Sequence, residues 1–388
     1  MPEDRIRYFD HSATTPTHPD VVAAMLPYFT EHFGNPSSLY GIAEESREAI
    51  ARARSQVAAA IGATPEEIFF TAGGTESDNW AIKGIAHAHR DRGDHIITTA
   101  IEHHAVLHTC AFLEEQGFSV TYLPVDREGR VDPAAVRDAI TDHTILVTVM
   151  TANNEVGTVQ PIREIGAIAR EHGIPFHTDA VQAIGNLELD VDEDNIDLLS
   201  LSGHKFYGPK GIGALYIKNG TKIANLIHGG GQERGRRAGT ENLPGVVGLG
   251  AAIERACTDI PAHAARLAGL RDRLLAGIME GIPDVTLNGH PTERLPGNIN
   301  LSFGGIDGEA LLTLLAMKGI CASTGSACSS GSDAPSHVLL AIGTSPQRAR
   351  ASLRLTLGDL TADEDVDYLL ALLPGAVEKL RRLSGAGA

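Results

Sequence analysis

Short β-branched, apolar runs alternate with helix-patterned stretches through the first two thirds of this chain, and no other feature limits its fold as much. The runs are Ile68–Thr71, Ile96–Thr99, Val120–Leu123, Ile145–Met150, Ile174–Thr178, Leu198–Ser202 and Ala214–Ile217. Between them, apolar residues recur at helical spacing. Ile50, Ala53, Val57, Ala60 and Ile61 precede Gly62, a second stretch covers Ala134–Ile140, and a third covers Ile162–Glu171 before Gly173. Strands alternating with helices predict an α/β fold with a mainly parallel sheet covered by helices, because parallel neighbours need a crossover and the crossover helix lands on a sheet face. Thr75-Glu-Ser-Asp78 predicts a capping box, with Thr75 as N-cap of a helix through Trp80, Ala81 and Ile85.

The pattern changes after residue 245. One long helical stretch is expected to run on to Gly281, with Leu267, Leu270, Leu274 and Ile278 on a single stripe. Ile299–Phe303, a helix over Leu311–Met317, a Gly/Ser-rich loop, a strand Ser352–Thr356 and a helix Asp363–Leu383 follow. These predict a smaller α+β domain. A length of 388 residues accommodates two such units. We expect residues 17–255 to form a large domain, and residues 1–16 with 256–388 to form a small one.

Composition excludes whole classes. With 43% hydrophobic and 21% charged residues the chain has material for a core and is not a disordered polyelectrolyte. Its formal charge of −17 argues against direct nucleic-acid binding, which needs a cationic surface. No apolar signal core opens the sequence and no run of roughly 18 apolar residues interrupts it, so neither secretion nor a membrane span is expected. The four cysteines, Cys110, Cys257, Cys321 and Cys328, are too few for a disulfide framework and point to a reduced, cytoplasmic setting. The 42 glycines imply tight turns and close backbone approaches.

Chemistry-bearing residues cluster at the ends of the strand runs, where open α/β sheets seat ligands. Ser202-Gly-His-Lys205 closes one run and meets a Gly/Pro turn. Ser202 and His204 can donate to a phosphate, and Lys205 is either a surface lysine or a Schiff-base partner for an aldehyde cofactor. Gly208–Gly213 lacks dinucleotide-loop spacing and precedes a strand, so that reading is rejected. Asp179 either caps a helix or holds a pyridine nitrogen protonated; with His177 alone it is too little for a metal. Gly73-Gly-Thr75 is an ordinary turn or an anion cradle at a helix N-terminus. In Glu102-His-His104 a histidine can stack on a flat ring or move protons. His104 and His108 stand four apart, as metal ligands can, but lack a third partner, and no metal is expected.

Cys328 sits among small polar residues, with the freedom a travelling nucleophile needs, whereas Cys321, after Gly319-Ile320, fits a buried structural role. The pair does not match zinc-ligand spacing. Gly229–Asn242 sets three arginines among glycines, as a phosphate cradle or as a solvated loop. Arg354, between apolar strand neighbours, calls for a carboxylate partner, internal or substrate.

In this order the motifs resemble the cysteine desulfurases of the class V aminotransferase group, fold type I of the pyridoxal phosphate enzymes. The resemblance spans nearly the whole chain. It rests on Tyr8-Phe-Asp-His-Ser-Ala-Thr-Thr-Pro16, Phe33-Gly-Asn-Pro-Ser-Ser38, Thr75-Glu-Ser-Asp78, Asn153-Asn-Glu-Val-Gly157, His177-Thr-Asp-Ala-Val-Gln182, Ser202-Gly-His-Lys205 and Arg236-Arg-Ala-Gly-Thr-Glu-Asn242. Gly325-Ser-Ala-Cys-Ser-Ser-Gly331 is similar to the nitrogen-fixation/iron–sulfur type, which carries its cysteine on a long mobile loop.

The resemblance implies pyridoxal 5′-phosphate as cofactor and L-cysteine as substrate. By motif, Lys205 would hold the cofactor, His103 would stack on its ring and shuttle protons, and Asp179 would pair with the ring nitrogen. Gln182 and Asn154 would contact the ring-oxygen side. Gly74, Thr75, Ser202 and His204 would bind the phosphate, joined by Thr240 of a neighbouring subunit, which implies a homodimer with shared sites. Arg354 would hold the substrate carboxylate. Cys328 would carry the sulfur as a persulfide to an acceptor protein such as an iron–sulfur scaffold. In two places the chain departs from relatives: His104 follows His103, and no extended tail for docking a scaffold follows Ser384. A selenocysteine lyase, another class V enzyme and a non-catalytic assembly platform are the rival readings. The joint presence of Lys205, Asp179, His103 and Cys328 favours the desulfurase.

Overall fold

The described residues, 5–324 and 334–385 of this computed structural model, begin with a short strand, Arg7–Tyr8 (β1). Seven strands then build the principal sheet: Ile68–Thr71 (β2), His95–Thr99 (β3), Ser119–Leu123 (β4), Thr144–Thr148 (β5), Phe176–Asp179 (β6), Leu198–Ser202 (β7) and Gly213–Ile217 (β8). Their order across the sheet is β2-β8-β7-β6-β5-β3-β4. The pairings from β4 through β3, β5 and β6 to β7 are parallel, and β8 alone runs against its neighbours β7 and β2. The parallel sheet expected from the alternation is present; the reversed strand is a feature the alternation did not predict.

Both faces are covered because alternate residues of one strand point to opposite sides. Ile68, Phe70, Ile97 and Leu199 join an apolar cluster with the helices Ile42–Ala60 and Leu243–Ala256. Their sequence neighbours Phe69, Ile96 and Leu198 join another, with Trp80, Ile82 and Ile85 of the helix Gly74–Ala88 and Val106 and Leu113 of the helix His104–Glu115. Each such side chain removed from water contributes about 1.5–3 kcal/mol against chain entropy.

The single helix expected up to Gly281 is in fact two, Leu243–Ala256 and Ile260–Gly281. The Asp259 carboxylate caps the second by accepting from the Ala262 N–H at 3.0 Å. Pro261 has no N–H with which to continue the first. The break lets the first helix pack on the principal sheet while Leu267, Leu270, Leu274 and Ile278 of the second enter a separate cluster. That cluster includes residues of Val285–Asn288 (β9), Asn298–Phe303 (β10), Ile320–Cys321 (β11), Ser352–Thr356 (β12) and the helix Asp363–Leu383. The strands β12, β10 and β9 form an antiparallel sheet in that order, and β11 pairs in parallel with β1, which brings Phe9 into the same core.

Two local expectations are corrected. Ile320 is the buried residue of β11 and Cys321 is exposed, since the pleat turns neighbours to opposite faces. The helix expected to start after Thr75 begins at Gly74 with Gly73 as N-cap, so Thr75 is inside its first turn. Among the described residues, no helix is long and apolar enough to cross a membrane.

Candidate active site

Parallel strands deliver their carboxyl ends to one edge of the sheet, and the loops leaving that edge converge. Gly74, Thr75 and Asp78 follow β2, His103 follows β3, Met150, Ala152 and Asn154 follow β5, Gln182 follows β6, and His204 and Lys205 follow β7. With Ser12, Ala13, Asp179, Val181, Ser202 and Arg354 they line a cavity of about 260 Å³. Ten of the twelve residues to which the resemblance gives a role lie on this wall. Thr240 does not and is exposed, and Cys328 lies outside the described residues.

The turn at Gly73 depends on a close backbone approach. A Cβ on Gly213 of β8 would stand 2.8 Å from the Gly73 Cα, and Gly73 itself has φ +149°. The turn is also held by the Glu76 carboxylate, which accepts from the Ala72 N–H at 2.9 Å, and by the Thr71 and Ser77 hydroxyls 2.8 Å apart.

The Lys205 ammonium donates to the carbonyls of Ser12 at 2.5 Å and Ala13 at 2.8 Å, so the N-terminal segment sets where this side chain points. His103 caps the helix His104–Glu115: its Nδ1 accepts from the Ala105 N–H at 3.1 Å, which places the proton of the neutral ring on Nε2. Burial and the nearby Lys205 push this imidazole down to about 4. His204, hydrogen-bonded through Nδ1 to Thr14 at 3.1 Å, is likewise pushed to about 4, mainly by burial. His104 stacks on His108 and packs on His337, with ring centroids 4.9 Å apart in both pairs.

Arg354, buried on β12, pairs with Asp10 at 2.8 Å and donates to the Asn154 carbonyl at 3.1 Å. Asp10 is thus one internal carboxylate partner of this arginine, whose side chain also reaches the cavity wall. A larger cleft of about 550 Å³ also touches Ser12, Gln182 and Lys205. There Arg255 pairs with Asp359 at 2.8 Å, Arg266 donates to the Gly358 carbonyl at 3.1 Å, and Asp259 caps its helix. The groups suited to chemistry line the smaller cavity.

Sequence reasoning missed Asp78, Asp10 and the carbonyls of Ser12 and Ala13. Asp78 was visible only as part of a helix start. Donor atoms of Asp78, His103 and Asp179 all lie within 4.8 Å of one another. The positive charge facing them is the Lys205 ammonium, which favours the Asp179 carboxylate and disfavours a charged His103. Burial nevertheless pushes Asp179 up to about 6, against the Val181 N–H that its carboxylate accepts at 2.9 Å.

Beneath His103 lies Glu102, fully buried, accepting from the Thr99 hydroxyl at 2.7 Å and the Met150 N–H at 3.1 Å. Burial pushes its carboxyl up to about 8. The folded chain therefore keeps a proton that an unfolded glutamate gives up, and stability falls as pH rises through that interval. The lowered histidines act with the opposite sign, but only below about pH 6.5, where unfolded histidine becomes charged. Between about pH 6.5 and 8 Glu102 is expected to lower stability by up to about 2 kcal/mol, Asp78 adding a loss of the same sign, and E102Q to make the slope shallower by the Glu102 share. Urea unfolding across this range checks it; an equal slope in both proteins refutes it.

Among known families, residues 7–369 match Aminotransferase class-V. The chain is 61% identical to a protein from Methanosarcina thermophila named cysteine desulfurase IscS, over 98% of this chain and 94% of that one. Among solved structures it is similar to a NifS-like protein, with a TM-score of 0.91 and 38% identity over 97% of this chain and 100% of that one. It is also similar to a structure described as SspA in complex with cysteine, with a TM-score of 0.81 and 42% identity over 92% of this chain and 100% of that one.

Proposed function

The chain belongs to the aminotransferase class-V family and is a cysteine desulfurase, and from this premise we propose that its 260 Å³ cavity seats pyridoxal 5′-phosphate and L-cysteine. One observation carries the proposal: a lysine amine, a carboxylate and an imidazole from three different strand ends face one another across that cavity. The wall fits the cofactor. The buried carboxyl of Asp179, favoured as an anion by the Lys205 ammonium, calls for a cationic ring nitrogen. The N-terminus of the helix Gly74–Ala88, with Thr75, Ser202 and His204, suits a phosphate.

When bound, the cofactor supplies an aldehyde that takes up an amine and a ring that accepts the electrons released at the substrate Cα. The residues supply the rest. Lys205 holds the cofactor and then, as a free amine, takes the Cα proton. Asp179 as carboxylate keeps the ring nitrogen protonated. His103, neutral and carrying its proton on Nε2, would stack on the ring and shuttle protons. Asn154 and Gln182 would contact the ring-oxygen side, and Arg354 would orient the substrate carboxylate.

The Cys328 thiolate attacks the substrate sulfur. An S–S bond forms as the C–S bond breaks, and the electron pair stays with the carbon skeleton, which takes up protons and leaves as L-alanine. The persulfide on Cys328 then passes to an acceptor such as an iron–sulfur scaffold protein. Thr240 completes the phosphate site of a second copy in a homodimer with shared sites. We infer a cytoplasmic enzyme of two domains, residues 17–255 and residues 1–16 with 256–388.

The test is direct. Protein supplied with pyridoxal phosphate is expected to turn yellow and, with a dithiol that reduces the Cys328 persulfide and is itself oxidised to a disulfide, to convert L-cysteine to alanine and sulfide in equal amounts. Failure to take up the cofactor, or alanine-free turnover, defeats the proposal.

A further inference from the structure

We propose that Asp78 is a positioning residue for Asp179: it stands beside Asp179 as an uncharged carboxylic acid, so that the pair carries one negative charge and Asp179 bears it. This deepens the cofactor reading above and rests on it. Asp78, on the helix Gly74–Ala88, is 1% exposed, and Asp179, at the end of β6, is 6% exposed. An oxygen of each lies within 4.8 Å of the other and of a His103 nitrogen. Two carboxylates so close, shielded from water, cannot both ionise freely.

Their surroundings decide which one keeps the proton. Asp179 accepts the Val181 N–H at 2.9 Å and faces the Lys205 ammonium, both of which favour its anion. Asp78 has weaker support. The Ser200 hydroxyl bonds to it, but its Oδ1 has no hydrogen-bond partner. The basic group closest to that oxygen is His177 Nε2, at 3.7 Å. His177 is fully buried, bonded through Nδ1 to the Thr148 hydroxyl at 2.8 Å and through Nε2 to the Ser200 hydroxyl at 3.0 Å. Burial pushes that imidazole down to about 3, so it is neutral and offers Asp78 no counter-charge. Glu102 also faces Asp78 and adds only further negative charge if it ionises. Burial and Asp179 together hold the Asp78 carboxyl well above the ordinary range.

A charged Asp78 would compete with Asp179 for the ring proton; a neutral one leaves a single anion aimed at the ring nitrogen. The test compares D78N with D179N. The first keeps Asp78 neutral and close to its natural shape; the second removes the anion. D78N is expected to bind pyridoxal phosphate within about 3-fold of the parent with the same visible spectrum, and D179N at least about 30-fold more weakly. Equal weakening in both variants overturns the proposal.

Infrared spectroscopy reads the proton without any variant. At pH 7 the parent should show a protonated-carboxyl band that shifts when aspartate is labelled with ¹³C at its side-chain carboxyl; a protonated Glu102 would leave its own band unshifted. Absence of a shifting band overturns the proposal even if D78N fails to fold. If the parent takes up no pyridoxal phosphate, the cofactor reading fails, while the infrared measurement on the same protein still shows whether an aspartyl carboxyl is protonated; loss of that band in D78N and its persistence in D179N assign the proton to Asp78, and the reverse overturns the proposal.

Discussion

Replacing Lys205 by alanine is expected to lower alanine formation from L-cysteine by about 10³-fold or more, with the fold intact. The side chain is only partly buried, and its ammonium bonds to two carbonyls, those of Ser12 and Ala13, on the cavity wall. Water entering the vacated space can satisfy both, so stability changes little. Chemistry loses more. The proposed base at the substrate Cα is gone, and so is the cation that favours the Asp179 carboxylate. Asp179→Asn should therefore impair the same step while leaving Lys205 in place. Alanine assays beside thermal unfolding check the prediction. Near-parental turnover in the alanine variant would remove Lys205 from the mechanism.

Replacing Cys328 by serine is expected to leave cofactor uptake unchanged and to reduce sulfide release to background, at least about 10²-fold, because a serine hydroxyl does not ionise near neutral pH as a thiol can. The other cysteines supply the control. Burial pushes the Cys110 thiol up to about 12, and the Cys257 thiol is raised for the same reason. Neither offers a thiolate. Cys321 is exposed, so Cys321→Ser tests whether any accessible thiol suffices. Sulfide release should survive in that variant. Sulfide release retained in Cys328→Ser and lost in Cys321→Ser would transfer the carrier role to Cys321.

How much could be read before folding depends on the range of the interactions involved. The helices Ile162–Glu171 and Asp363–Leu383 and the strand Leu198–Ser202 coincide with their sequence patterns, because spacing, a terminating glycine and β-branched runs act within a few residues. The helix break at Asp259 was hidden because apolar spacing continues across it and only the cap and Pro261 mark it. The Gly74 helix start was misplaced because Thr75 satisfies the local pattern, while the actual turn is set by Gly213, which lies far along the chain and passes close to Gly73.

The residue types at the strand ends already pointed to a lysine, an aspartate, a histidine and an anion-binding turn, since each is read from its own short segment. What joined them was the order β2-β8-β7-β6-β5-β3-β4, which no segment encodes alone. That order sets Asp179 of β6 against Asp78 of the helix after β2, while the N-terminal segment, bridged to β12 at Asp10 and Thr356, brings the Ser12 and Ala13 carbonyls to Lys205 and hands Asp10 to Arg354. Local sequence decides which groups exist and which elements carry them. Distances between charges, and with them which carboxyl keeps its proton, arise only when distant segments exclude water from a shared interior.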